Sequence, residues 1–98
     1  MPRRIAPKNQ FAKALKAIRV ARRLSQEEFG IVSSRTYVSS LERGNYSPTL
    51  NKVDELAEVL DVHPLLLLTV AYATDMTKKD VRSLLSRIEG ELDSILGS

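Results

Sequence analysis

Arg35, Thr36, Ser39, Ser40 and Arg43 are the residues of this 98-residue chain best suited to act on a partner. On a helix of 3.6 residues per turn they share roughly 140° of arc. Tyr37, Val38, Leu41 and Glu42 take the other side. A helix with one apolar side and one Arg/Thr/Ser side has the size and donor set to enter a DNA major groove. There an arginine can grip guanine with two hydrogen bonds, and a threonine methyl can meet thymine. Short serines read bases through water.

The charge distribution supports the same chemistry. Residues 1–52 carry 11 Lys/Arg against 3 Asp/Glu, net +8, and residues 53–98 carry 4 against 9, net −5, which together make the formal +3. No acidic residue occurs before Glu27, while Arg3, Arg4, Lys8, Lys13, Lys16, Arg19, Arg22 and Arg23 do. A run of like charge is often only a solvated face. Here it coincides with the polar helix, and the combination points to a polyanion such as double-stranded DNA.

Several other classes are disfavoured. There is no cysteine, so no disulfide or thiolate metal site is available. The single histidine, His63, has no partners at metal-ligand spacing and reads as a surface or capping residue. Glu27 and Glu28 are adjacent carboxylates, but without a nearby base or nucleophile they read as capping residues; no metal, cofactor or enzymatic activity is expected. No apolar run reaches membrane-spanning length, and the basic N-terminus lacks a signal peptide's apolar stretch, so a cytoplasmic protein is expected.

The elements that must position the polar stripe are all helical. Residues 1–8 read as a basic arm, residues 9–72 as the globular domain and residues 77–97 as a terminal helix. Phe11, Leu15, Ile18 and Ala21 recur at helical spacing and predict a first helix from about Asn9 to Arg23. Ser25 with Glu28 forms a capping-box signature for a second helix. Ser33 or Ser34 opens the third, which Gly44 ends. Ser47 or Thr49 opens the fourth, with Leu50, Val53, Leu56, Ala57 and Leu60 on one face. Pro64 suits the first turn of a fifth that runs to about Tyr72. Thr77 with Asp80 starts the last.

The segments LSQEEFG, RTYVSSLERG and SPTL, in that order, resemble the lambda-repressor-like helix-turn-helix family, also called the xenobiotic-response-element family. The resemblance runs from about Phe11 to Leu68. RTYVSSLERG is particularly similar to small controller proteins of restriction–modification systems and to compact phage-type repressors. The resemblance implies an all-α fold in which five helices form the helix-turn-helix domain, followed here by a C-terminal helix. It also implies a third helix in the major groove and binding as a dimer. Carried onto this chain, it assigns Arg35, Thr36, Ser39 and Ser40 to base edges. Ser25, Gln26, Ser34, Tyr37, Arg43 and Asn45 are assigned to DNA phosphates, with Gln26 also bracing the third helix, and Arg3 and Arg4 are expected to add phosphate contacts through the charge of the basic arm. Arg19 and Glu42 are expected to pair and to fix the crossing of the first and third helices. The turn before the third helix is shorter than is usual in the family. Gly30 stands where a small residue allows close helix approach.

From Thr77 onward, Val81, Leu85, Ile88, Leu92 and Ile95 follow heptad spacing. Leu84 and Leu96 widen that stripe. Two heptads are too short to hold a dimer alone, so Leu66, Val70 and Tyr72 are expected to join the homodimer interface. The function expected is a sequence-specific transcriptional regulator, a repressor or autoregulator on a palindromic operator. Two alternatives are the antitoxin of a toxin–antitoxin pair and a protein-interaction module that keeps the helix-turn-helix as scaffold.

Overall fold

Phe11, Ala14 and Leu15 lie on the inner side of the first helix, α1 (Phe11–Ala21), and are buried. The computed structural model describes residues 9–97, so the basic arm, with Arg3 and Arg4, lies outside the described residues. Helix α1 stops two residues before the expected Arg23. The N–H of Arg23 bonds to the Val20 carbonyl at 2.9 Å and that of Leu24 to the Arg19 carbonyl at 3.1 Å. This closure needs a left-handed residue at its centre. Arg23 supplies it at φ 61°, without glycine's freedom.

The second helix is a 3₁₀ turn, Gln26–Phe29, rather than an α-helix. Four residues wind before the chain bends at residues 30–33, where the Val32 and Ser33 amides turn back to the Phe29 carbonyl, and 3₁₀ winding is common in such short pieces. Glu28 reaches back to accept from the Ser25 N–H at 2.6 Å, and the expected Ser25–Glu28 capping box is formed. Gly30 lies against its own turn: a Cβ there would sit 3.2 Å from the Glu27 carbonyl oxygen. Phe29 is fully buried and anchors the turn in the core.

Helix α2 (Arg35–Glu42) begins at Ser34, whose hydroxyl accepts from the Tyr37 N–H at 3.1 Å. It ends at Gly44, where φ is 80°, with the Gly44 and Asn45 amides returning to the Leu41 and Ser40 carbonyls. Val38 and Leu41 carry its inner face into the core. Helix α3 (Leu50–Leu60) is capped by Thr49. It buries Val53, Leu56, Ala57 and Leu60, while Leu50, in its first turn, projects into solvent.

Helix α4 (Pro64–Tyr72) has proline in its first turn and His63 as its cap, with Nδ1 accepting from the Leu65 N–H at 2.9 Å. Leu67 and Ala71 face the core beside α1 and α3. Helix α5 (Lys78–Leu96) opens with the Thr77 hydroxyl accepting from the Asp80 N–H. The Asp80 carboxylate, expected to complete a capping box, instead accepts from the Asp75 N–H at 2.9 Å. Among the described residues there is no strand. The fold is all-α, and its core holds α2 from behind.

Candidate nucleic-acid interface

The site begins with what fixes α2. Glu42, in the last turn of that helix, accepts from Arg19 Nε at 2.6 Å and from Arg19 Nη2 at 3.0 Å. Gln26 Nε2 donates to the same carboxylate at 3.0 Å, so Gln26 does brace α2. Arg19 also donates to the Leu24 carbonyl at 2.9 Å. The side chains are 13% and 4% exposed, and a pair so enclosed is held by a full set of partners. The hydrogen bonds that Arg19 donates to Glu42 raise the pKa of Arg19 above its ordinary value, against the lowering effect of burial. These three side chains lock α1, the 3₁₀ turn and α2 together.

On the opposite side, Arg35, Thr36 and Arg43 are exposed, and Ser39 is half-buried. With Gln26 they line a shallow polar cleft of about 310 Å³. Arg43 folds back along its own helix, donating to the Ser39 hydroxyl and, at 3.2 Å, to the Ser40 hydroxyl. Arg35 Nη1 stands 3.9 Å from the Glu27 carboxylate, with both side chains largely in solvent. Ser25, Ser34 and Asn45 lie on the exposed surface around this face.

One member of the expected base-reading set is displaced. Ser40 is only 8% exposed. It sits at the edge of the polar arc, where the helix meets the core, and its hydroxyl serves Arg43. Arg35, Thr36 and Ser39 remain on the open face.

Tyr37 is half-buried against the core cluster. Its ring lies 5.7 Å from that of Tyr46, tilted by 31°, and Lys52 Nζ stands 5.6 Å from its centroid. Lys52 also donates to the Val32 carbonyl at 2.7 Å and lies 2.8 Å from Glu55. Sequence reasoning missed Lys52, Tyr46 and Glu27. Lys52 and Tyr46 reach Tyr37 from outside α2, and no periodicity announces such a contact. Glu27 reads as a capping residue because it stands in the first turn of its element.

The expected interface residues of the C-terminal region differ in exposure. Leu66, Tyr72, Leu85, Ile88, Leu92 and Ile95 are exposed, while Val70 and Val81 are half-buried. No residue of α5 is buried.

A short helix anchored from behind and polar in front, in the second position of a helix–turn–helix pair, defines a DNA-binding transcriptional regulator. The chain belongs to the helix-turn-helix family (HTH_3, of lambda-repressor-like type), which it matches over residues 15–67. A solved structure, the restriction-modification controller protein C.AhdI from Aeromonas hydrophila, is 36% identical. That match covers 58% of this chain and 86% of the controller protein, with a TM-score of 0.55. No curated protein matches the chain. Among the described residues no group of side chains could hold a metal ion, and no helix is long and apolar enough to cross a membrane.

Proposed function

We propose that this protein is a repressor or autoregulator that binds a palindromic DNA operator as a homodimer. The observation that carries the reading is the exposed Arg35, Thr36 and Ser39 face on a helix whose other side is fixed by Glu42 and the core. Arg35 takes a guanine edge, Thr36 a thymine methyl and Ser39 a base edge through water. Ser25, Gln26, Ser34, Tyr37, Arg43 and Asn45 supply phosphate contacts, and Arg3 and Arg4 add charge from the arm. Similarity to a restriction-modification controller protein supports a controlling role.

Two copies join through α5 and α4. Leu85, Ile88, Leu92 and Ile95 form an unpartnered apolar stripe, and Leu66 and Tyr72 expose further apolar surface on α4. A dimer of this kind sets its two recognition helices about 34 Å apart, one DNA turn.

The experiment has two arms. Selection from random duplexes, followed by binding titrations, is expected to return paired half-sites. Arg35→Ala is then expected to lose about 1–3 kcal/mol and to relax preference at one base pair in each half-site. An unchanged ranking of operator variants rejects α2 as the reader. Sedimentation of the full chain and of a chain ending before Thr77 tests the dimer. A monomeric full chain at tens of micromolar, or equal dimerisation of the shortened one, rejects α5 as the joining element.

A further inference from the structure

The short turn before α2 leaves one backbone group to be satisfied from elsewhere. The Val32 and Ser33 amides both turn back to the Phe29 carbonyl, at 2.9 and 2.8 Å. Among the described residues no backbone N–H answers the Val32 carbonyl; Lys52 Nζ does, at 2.7 Å. The lysine comes from the first turn of α3, twenty residues away in sequence. Its side chain is 23% exposed, and Glu55 balances its charge. The same ammonium stands over the ring of Tyr37, in the first turn of α2. Lys52 thus grips the chain on both sides of the Ser34 cap. The Arg19–Glu42 pair fixes the far end of the same helix.

We propose that Lys52 is a positioning residue for DNA reading: it sets the seating of α2 from α3 and thereby controls sequence preference, without touching a base. The inference rests on the reading of α2 as the recognition helix. A backbone carbonyl and an aromatic face both attract a compact cation. Base contacts depend on seating because two-point hydrogen bonds weaken steeply with misalignment. A small shift at Val32 therefore changes what Arg35 can grip.

The test is Lys52→Met, which keeps the aliphatic stem beside Tyr37 and removes the donor. Circular dichroism is used to choose conditions in which the variant is folded. The readout is the ratio of affinities for the selected operator and for one altered at the Arg35-dependent base pair. Lys52→Met is expected to lower that ratio by about fivefold or more. A general loss of stability scales both affinities together and leaves the ratio alone. An unchanged ratio overturns the proposal. A salt slope reduced by about one then makes Lys52 a phosphate contact, and an unchanged slope makes it idle.

Arg35→Ala is measured alongside. If it keeps the wild-type ratio, the reading of α2 fails and the Lys52 inference falls with it. If it loses the ratio while Lys52→Met keeps it, only the Lys52 inference falls. Should Lys52→Met not fold, nitrogen-15 spectroscopy of the wild type decides. A slowly exchanging Lys52 ammonium close to the Tyr37 ring supports the grip, and a freely averaging one overturns it.

Discussion

Glu42 and Arg19 are joined by two N–H···O bonds, of 2.6 and 3.0 Å, across the crossing of α2 and α1. Neither element could hold its charged residue so far out of water without the other. Removing one partner leaves the other buried and uncompensated, so Glu42→Ala is expected to cost about 3–5 kcal/mol. Urea unfolding measures it, and a double-mutant cycle with Arg19 separates the coupling from the loss of packing. Because the Arg19 pKa is raised, its contribution is fully present below the ordinary arginine range and fades only above it. No working buffer removes that charge, so substitution is the only practical probe.

Ser39 and Ser40 are neighbours with opposite expected behaviour. Ser39→Ala is expected to change operator preference by about 1 kcal/mol, since Ser39, whose hydroxyl also accepts from Arg43, lines the open polar cleft, which Ser40 does not. Ser40 is enclosed and makes its contact with Arg43. Ser40→Ala is expected to leave the ranking of operator variants intact and to shift stability by about 0.5–1.5 kcal/mol. Binding titrations over a panel of single-base variants, beside thermal unfolding, distinguish the two.

Gly44 and Arg23 hold equivalent left-handed positions at the ends of α2 and α1. Space does not forbid a side chain at Gly44, where the nearest neighbour of a Cβ would be 4.0 Å away. The backbone does, and Gly44→Ala is expected to destabilise by roughly 1–2 kcal/mol. Arg23→Gly relieves the same strain and is expected to stabilise by up to about 1 kcal/mol, lessened by the extra freedom glycine gives the unfolded chain. The two substitutions should therefore move the melting temperature in opposite directions.

Affinity for DNA is expected to fall steeply with salt. Six to ten neutralised phosphates imply a log–log slope of about −5 to −9. Deleting residues 1–7 removes Arg3 and Arg4. It is expected to weaken binding to all sequences alike and to make the slope shallower. Fluorescence anisotropy across a salt series provides the check.

Where the chain states its own boundaries, the sequence was easily read. Ser34, Thr49, Pro64 and Thr77 start helices because each solves the problem of unpaired first-turn amides, and Gly44 ends one because only it adopts φ > 0 cheaply. The end of α1 was not legible, because Arg23 takes the left-handed turn without the glycine that would announce it. The 3₁₀ turn reads as a helix because its cap and acidic first turn are those of one. Ser40 lies at the margin of the polar arc, where a helical projection cannot tell rim from core. Lys52 was invisible for a simpler reason: its partners, Val32 and Tyr37, belong to other elements.

If the turn before α2 is shorter than in related proteins, as the resemblance implies, it limits what can be exchanged with them. A recognition helix taken from a family member with a longer turn arrives with side chains selected for a different entry angle. Placed between Ser34 and Gly44 here, it would meet the groove along this chain's angle. Its donors would then fall on different base edges from those it met at home. On the reading of α2 as the recognition helix, specificity is expected to be portable as a unit spanning Ser25 to Lys52, with turn and clamp included, and not as the eight residues of α2 alone.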